Sequence, residues 1–177
     1  IMKIVVLGGA GQMSGITVKD LAQSPDVKEV IVADLDLEKA KKVAEANGPK
    51  CRAVYCNVLD HDNLLEVIKG TDCVCNGCTY KVNLDVMRGC LAAGVHYTDL
   101  GGLYHMTKKQ MELDSEFKKA GLTAVISMGG TPGTINVLAR YAVDRMDTVE
   151  TVRCLNGCGD WTKTTEVFGV PYSIKTI

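Results

Sequence analysis

The sequence lacks an excess of either charge and lacks any long apolar run. Its 20 lysine and arginine residues nearly balance 21 aspartate and glutamate residues, which leaves a net charge of −1. Nucleic-acid-binding domains usually carry a basic excess, so this balance argues against a nucleic-acid partner. No apolar run approaches the roughly 20 residues of a membrane span, and no signal-peptide pattern precedes the first predicted strand. We therefore expect a globular cytoplasmic protein without a nucleic-acid or membrane partner.

The sequence also lacks several catalytic motifs. It contains no G-x-S-x-G, H-E-x-x-H or Walker pattern. No internal repeat, low-complexity tract or flexible linker is present, so the chain is interpreted as one folded unit with a short appendage.

Eight cysteines are present, and their spacing decides their interpretation. Cys73, Cys75 and Cys78 suggest a metal or redox cluster, but there is no second C-x-x-C and the nearest histidine is His61. Cys73 and Cys75 lie two residues apart in a strand-like run, so they face the same side and pack as small hydrophobes. We predict free thiols in a reducing cytoplasm and no metal site, with a metal or disulfide as the alternative.

A glycine-rich turn near the N-terminus is the most informative segment. The apolar run 4–7 leads into the turn at residues 8–15, and a helical pattern follows. A strand, a glycine turn and a helix in this order bring a diphosphate onto backbone N–H groups at the helix N-terminus. The G-x-G-x-x-G pattern is matched at its first two glycines, with Ser14 at the third position and Gly15 one residue late. The predicted cofactor contacts in the turn are Gly8, Gly9, Gly11, Gln12 and Met13.

Strand-like runs alternate with helical segments up to residue 127. The predicted strands lie at residues 4–7, 30–34, 53–56, 73–78, 95–100 and 123–127. The predicted helices lie at residues 12–24, 37–47, 60–68, 83–93 and 107–120, with Asp36 and Asp60 as N-terminal caps and Gly94 as a stop. This alternation predicts an α/β fold with a Rossmann-type, doubly wound, mostly parallel sheet of six strands.

The pattern changes after residue 127. Residues 128–133 form a predicted turn, residues 134–145 a helix and residues 149–155 a strand, before an irregular end. About 50 residues are too few for a second core of comparable size. We predict a dinucleotide-binding domain at residues 1–127 and the start of a truncated second domain at residues 128–177; the alternative is a tail that packs on the sheet.

Asp34 ends the second predicted strand, roughly 20 residues after the glycine turn. A carboxylate at this place accepts hydrogen bonds from a ribose diol and repels a 2′-phosphate, so Asp34 favours NAD over NADP. Lys39, Lys41 and Lys42 are better interpreted as a solvated helix face than as a 2′-phosphate site. An ordinary surface acid is the alternative interpretation of Asp34.

Residues at the carboxyl ends of the other strands are the remaining candidates, because open parallel sheets bind ligands there. Asn57 and Val58 follow the third strand, where the adenine is expected. Cys78, Thr79 and Tyr80 follow the fourth strand, near the expected nicotinamide. Ordinary turn chemistry is the alternative for Thr79 and Tyr80.

Asp99 ends the fifth predicted strand and precedes Gly101 and Gly102, which allow a backbone or a ligand to approach closely. It is interpreted either as an acid of the site or as a cap for the next helix. His96, at the start of the same strand, is predicted to be structural. His105 follows the glycines and lies nearer the mouth of the site, but the sequence shows no partner for it.

Taken together, these segments resemble the saccharopine dehydrogenase family. The resemblance rests on the Gly-Gly-Ala-Gly turn, Asp34, the strand at residues 95–99, and the turn at residues 130–133 with Asn136 after it. The resemblance extends over essentially the whole chain. Within the family, the chain most resembles lysine 6-dehydrogenases and saccharopine dehydrogenase-like proteins. It implies an NAD(P)-binding N-terminal domain and a C-terminal substrate and dimerisation domain, in a longer protein that forms a homodimer.

The resemblance also implies hydride transfer between a nicotinamide cofactor and a C–N bond of a small amino-acid substrate. Asp99 matches the family acid near the substrate amine, Thr79 and Tyr80 match the loop beside the nicotinamide, and residues 128–133 line the cleft. Asn57 departs from the family pattern, which often has Asp there. The implied function is an NAD(P)-dependent oxidoreductase with Asp99 and Tyr80 as catalytic candidates; a non-catalytic NAD-binding module or sensor is the alternative.

Overall fold

A computed structural model describes residues 1–157 and shows an α/β fold. Within this range the strands are β1 (Met2–Leu7), β2 (Val27–Asp34), β3 (Cys51–Tyr55), β4 (Cys73–Asn76), β5 (His96–Asp99) and β6 (Ala124–Val125). The helices are α1 (Gln12–Gln23), α2 (Leu37–Ala46), α3 (His61–Ile68), α4 (Asn83–Ala93), α5 (Tyr104–Met111), α6 (Asp114–Lys119) and α7 (Thr134–Val143), with a 3₁₀ turn at Tyr80–Val82. The strands form one parallel sheet in the order β3-β2-β1-β4-β5-β6. The predicted Rossmann-type fold is confirmed.

Apolar side chains of β1 cover both faces of the sheet. Ile4 and Val6 belong to a buried cluster with residues of α1 and α2, whereas Val5 and Leu7 belong to a second cluster with residues of α3, α4 and α6. Successive side chains of a strand point to opposite faces, so a strand covered on both sides is apolar throughout. The two clusters fix the carboxyl edge of the sheet, where the loops of interest begin.

Three predicted helix ends are confirmed. Asp36 Oδ1 accepts a hydrogen bond from the Lys39 backbone N–H at 3.0 Å, and Asp60 Oδ1 accepts one from the Asn63 backbone N–H at 3.1 Å. Each bond satisfies an N–H group that the first turn of a helix leaves without a partner. Gly94 ends α4 with φ +71°, a left-handed conformation that favours glycine.

The predicted helix at residues 107–120 is two helices in the structure. α5 begins earlier, at Tyr104, and ends at Met111, and α6 follows from Asp114. Between them the backbone bonds tighten to the i→i+3 pattern, since Glu112, Leu113 and Glu116 each donate to the carbonyl three residues before. The tighter turn buries Leu113 and Phe117 (8% and 3% exposed) against the core, a tertiary contact that overrides the helical pattern.

The predicted strand at residues 149–155 is wrong, because no strand forms there. A strand needs a neighbouring edge to pair its N–H and C=O groups. The outer strand β6 has only two residues and pairs with β5.

α7 begins at Thr134 as predicted and buries none of its side chains. The division into two domains stays a prediction. Among the described residues, no helix combines the length and apolarity needed to cross a membrane.

The cysteines of the described residues are free thiols. Cys73 and Cys75 pack toward the α1–α2 cluster, while Val74 between them is buried in the other cluster. Their predicted common side is therefore confirmed. Burial raises the pKa of Cys56 to about 12, so this thiol stays protonated and unreactive at neutral pH.

Candidate functional site

The glycine turn between β1 and α1 is built by close backbone contacts. Gly8 has φ +64°. The Gly9 N–H donates to the Ala33 carbonyl at 3.0 Å, and the Gly11 N–H donates to the Gly8 carbonyl at 3.0 Å. A Cβ on Gly9 would lie 2.9 Å from the Val6 carbonyl oxygen, so only glycine fits there. The turn therefore brings the start of α1 directly onto the ends of β1 and β2.

The N-terminus of α1 is open to an anion. Gly11 is its N-cap residue and has no side chain to cap the helix, and the first turn contains no acidic residue. Gln12 and Met13, the first two helical residues, are exposed. Uncapped N–H groups and the helix dipole together favour a negatively charged group at this end. This geometry suits the diphosphate contacts predicted for the turn.

Ser14, the departure from the glycine fingerprint, is accommodated by a glycine of another strand. Ser14 is 2% exposed, and its Oγ is buried without a hydrogen-bond partner. A Cβ on Gly77, just after β4, would collide with Ser14 Oγ. The close approach that the third fingerprint glycine normally permits is therefore provided by Gly77. The sequence contains no local signal for this pair, since 63 positions separate the two residues.

Asp34 lies at the end of β2 and contacts the glycine turn. Its Oδ2 accepts a hydrogen bond from the Ala10 backbone N–H at 3.0 Å, and its Oδ1 accepts one from the Asp36 backbone N–H at 3.0 Å. The side chain is half-buried. A carboxylate has about four acceptor positions, so two bonds leave it able to accept more. The structure places this carboxylate against the glycine turn, and its contact with a ribose stays a prediction.

Asn57 and Val58 follow β3 at the same edge of the sheet. Asn57 Oδ1 accepts a hydrogen bond from the Leu59 backbone N–H at 3.1 Å, and the Asn57 N–H donates to Asn63 Oδ1 at 2.7 Å. Val58 is half-buried and packs against the core. Both residues therefore shape the turn before α3, and an adenine contact from them stays a prediction.

Cys78 lies between the glycine turn and the end of β4. Its backbone N–H donates to Asn76 Oδ1 at 3.1 Å, and a Cβ on Gly8 would lie 3.0 Å from its Sγ. Burial, and then the charge of Asp34, raise the pKa of Cys78 to about 11. The thiol is thus neutral at physiological pH and is a packing surface rather than a nucleophile, and a cofactor contact from Cys78 stays a prediction.

Tyr80 brings together two loops that the sequence separates. Thr79 is exposed, and the half-buried Tyr80 starts the 3₁₀ turn after β4. The Tyr80 ring meets the His105 ring edge-on, with centroids 6.3 Å apart and an interplanar angle of 89°. A Cβ on Gly102 would collide with the Tyr80 side chain. The structure therefore gives His105 the partner that the sequence did not show. His96 lies at the amino end of β5, where its Nδ1 accepts a hydrogen bond from the Thr123 backbone N–H.

Asp99 is buried, with 3% of its surface exposed. Its Oδ1 accepts hydrogen bonds from the backbone N–H groups of Gly101 at 2.7 Å and Ser127 at 2.8 Å. Its Oδ2 accepts from three side chains: Tyr97 Oη at 2.8 Å, Gln110 Nε2 at 2.6 Å and Asn83 Nδ2 at 3.4 Å. Protein donors surround both oxygens, so the expected direct contact with a substrate amine does not fit this geometry. Nor is Asp99 a helix cap, because the N-cap of α5 is Leu103.

A cavity of about 460 Å³ lies beside these loops, outside the ends of β5 and β6. Residues from the start of α5, the end of β6 and the start of α7 line it: Gly102, Tyr104, Thr107, Ile126, Ser127, Met128, Pro132, Gly133, Asn136 and Val137. Part of the segment 128–133 therefore lines a cleft, as the family resemblance implied. Gly101 allows this packing, since a Cβ there would lie 2.9 Å from Pro132 Cγ.

A family model described as the saccharopine dehydrogenase NADP binding domain matches residues 4–125, from β1 to β6. The chain belongs to the saccharopine dehydrogenase NADP-binding domain family. Its membership confirms the resemblance seen in the sequence and supports a nicotinamide dinucleotide as the cofactor. The family description names NADP, whereas Asp34 predicts NAD.

Curated proteins and a solved structure similar to the chain carry related names. It is 28% identical to the carboxynorspermidine synthase of Vibrio cholerae, over 80% of this chain and 41% of that protein. It is 29% identical to the saccharopine dehydrogenase (NADP+, L-glutamate-forming) of Saccharomyces cerevisiae, over 83% of this chain and 31% of that protein. A solved yeast saccharopine dehydrogenase (L-Glu forming) superposes with a TM-score of 0.68 at 26% identity, over 81% of this chain and 30% of that chain. The chain spans less than half the length of these relatives.

Proposed function

We propose that this chain is the coenzyme-binding portion of an NAD-dependent oxidoreductase that acts on a C–N bond of an amino-acid-derived substrate. The observation that carries the proposal is the open N-terminus of α1 beside the Asp34 carboxylate, within a domain of this family. Lysine, in a reaction like that of lysine 6-dehydrogenase, is the narrower substrate proposal. We further propose that the full-length protein is a cytoplasmic homodimer.

The choice of NAD over NADP rests on charge. A 2′-phosphate near Asp34 would meet a carboxylate at short range, and two like charges at such distances repel strongly where water is partly excluded. Two of the three lysines of α2 are already engaged, since Lys39 pairs with Asp36 at 3.0 Å and Lys41 pairs with Glu38 at 2.7 Å. Asp34 thus opposes NADP, although the family description names that coenzyme.

The coenzyme preference should change in the variant Asp34→Ser. We expect weaker NADH binding, stronger NADPH binding, and a change of about tenfold or more in the ratio of the two Kd values. Calorimetric titration of both coenzymes measures this ratio. The control Asp26→Ser removes an exposed carboxylate that precedes β2 at the opposite edge of the sheet, so both Kd values should stay unchanged. An unaltered ratio in Asp34→Ser would show that this carboxylate does not face the 2′ position.

The chain's own residues would bind and orient the reactants. The bound nicotinamide supplies the hydride chemistry, which amino-acid side chains do not provide. The turn and α1 would hold the diphosphate, and Asp34 the ribose. We propose that Tyr80 and Thr79 line the nicotinamide side of the cleft, with the cavity beside Ser127 receiving the substrate. Asp99 acts there indirectly, because it holds the backbone of Gly101 and Ser127.

The proposed activity is tested by coenzyme binding and by amine-dependent formation of NADH. We expect the 177-residue chain to bind NADH, because the turn, Asp34 and the loop after β4 all lie within it. The longest natural protein that contains the chain should form NADH from NAD with lysine, saccharopine or a carboxylated polyamine. Binding without turnover on any of these amines would favour a non-catalytic module or sensor. Failure of the chain to bind either coenzyme would overturn the proposal.

A further inference from the structure

A buried polar cluster joins the loops on the two sides of the candidate site. Five polar or charged residues of the described range are buried, and Ser14 is the one that stands apart. The other four share hydrogen bonds with one another and with the buried hydroxyl of Tyr97: Asn76, Asn83, Asp99 and Gln110. Buried polar groups are costly unless each has a partner, so a cluster of this size needs a specific reason.

One end of the cluster holds the loop beside the glycine turn. Asn76 is the last residue of β4, and its Oδ1 accepts the Cys78 backbone N–H at 3.1 Å. This bond fixes the chain where Cys78 packs against Gly8. The other end holds the cleft, because Asp99 Oδ1 binds the N–H groups of Gly101 and Ser127. Ser127 has a positive φ of +62°, which is costly for a residue with a side chain, so its turn depends on such external support.

The hydrogen bonds between the two ends can run in only one direction. A carboxylate only accepts, so the Tyr97 hydroxyl must donate to Asp99 Oδ2, at 2.8 Å. Burial, and then the Asp99 charge, raise the pKa of Tyr97, which keeps this proton on the hydroxyl. The Tyr97 oxygen is then the acceptor for Asn76 Nδ2, at 3.2 Å. The amide orientation of Asn76 follows, and it leaves Oδ1 free to accept the Cys78 N–H.

We propose that Asn76 is a positioning residue, which ties the coenzyme-side loop at Cys78 to the substrate-side loops at Gly101 and Ser127 through this directional relay. The inference rests on the proposed function only for the identity of the two ligands. Asn76 must be an amide because it donates to Asn83 Oδ1 at 3.0 Å and to Tyr97, while it accepts from Cys78. An isosteric carboxylate could do only the last of these.

The relay can be reversed, and this gives a sharp test. In Asn76→Asp, two carboxylates compete for the single Tyr97 hydroxyl proton. In Asp99→Asn, that proton loses its charged acceptor. In the double variant, the carboxylate introduced at position 76 would accept hydrogen bonds from the Cys78 N–H, the Tyr97 hydroxyl and a rotated Asn83 amide. The amide introduced at position 99 would donate hydrogen bonds to the Tyr97 oxygen and to the oxygen of a rotated Gln110 amide. Every buried group again has a partner, so the two substitutions should compensate.

We expect each single variant to raise the Kd for NADH about tenfold and to raise the equilibrium constant for unfolding about tenfold. The double variant should recover most of the lost affinity and most of the lost stability. Calorimetric titration with NADH and urea unfolding of all four proteins measure the coupling. Tyr97→Phe, which removes one oxygen from the middle of the relay, should weaken NADH binding about threefold even if Asn76→Asp does not fold. The control Asn47→Asp changes an amide at the end of α2 and should leave the Kd unaltered.

Additive effects in the double variant would overturn the relay. A positioning role would be refuted if Asn76→Asp and Tyr97→Phe lowered the urea midpoint but left the Kd for NADH of the folded protein unchanged. If the unsubstituted chain binds neither NADH nor NADPH, the proposed function fails on its own. The unfolding measurements would then still decide whether Asn76 and Asp99 are coupled.

Discussion

The variant Gly9→Ala should lose about 2 to 3 kcal/mol of unfolding free energy and weaken NADH binding by about tenfold or more. The new methyl carbon would lie 2.8 Å from Val32 Cγ1 and 2.9 Å from the Val6 carbonyl oxygen. The side chain of Val32 could rotate, but the carbonyl belongs to β1, which is paired with β2 on one side and β4 on the other. The turn must therefore move, and the N-terminus of α1 moves with it.

Urea unfolding and calorimetric titration with NADH test this prediction. Gly15→Ala is the matched control, because a Cβ on Gly15 has no neighbour within 4 Å and the residue is helical. Alanine is preferred to glycine inside a helix, so this variant should gain up to about 1 kcal/mol of unfolding free energy. The two glycine-to-alanine changes should thus have opposite signs. Equal losses in both variants would show that space at Gly9 is not the cause.

The variant Asp99→Ala should lose about 3 kcal/mol or more of unfolding free energy, because it removes the acceptor of five hydrogen-bond donors. The backbone N–H groups of Gly101 and Ser127 would be left without their bonds, as would three side chains. Folded domains are stable by only about 5 to 15 kcal/mol, so this is a large share. Urea unfolding followed by circular dichroism measures the loss.

Asp114→Ala is the control for the loss of a carboxylate. Asp114 pairs with Lys118 at 2.7 Å on the surface of α6, and its side chain is 63% exposed. Exposed pairs of this kind contribute about 0.5 kcal/mol or less, so the variant should unfold almost like the parent protein. A loss in Asp99→Ala as small as that of the control would mean that the donors around Asp99 find other partners, and the buried cluster would not hold the cleft.

Local features of the chain were enough to predict most of the fold. The apolar runs of β1 and β2, the caps Asp36 and Asp60, and Gly94 at the end of α4 each act within a few residues of chain. The glycine turn is also a local feature, because adjacent residues determine its conformation and its position before a helix. Elements that depend on distant partners were predicted less well, as the divided helix α5–α6 and the missing strand at residues 149–155 show.

The candidate site divides in the same way. Cys78, Tyr80 and Asp99 could be placed at strand ends from the sequence, because carboxyl ends of parallel strands share one edge. What each side chain does there could not be predicted. Asp99 has the position of a substrate-binding acid, yet its partners include Ser127 and Gln110, which lie 28 and 11 residues away along the chain.

Short segments of the sequence were sufficient for the strand–helix alternation, the open helix N-terminus after the glycine turn, and the acid at the end of β2. These features follow from periodicity, backbone conformation and residue type, each of which is a local property. Three other features needed the folded chain: Gly77 makes room for Ser14, His105 meets Tyr80, and protein donors enclose Asp99. These contacts join segments that are far apart in the chain. Whether a polar group binds a ligand or a protein neighbour depends on its burial, and these groups become buried only when the distant segments pack together.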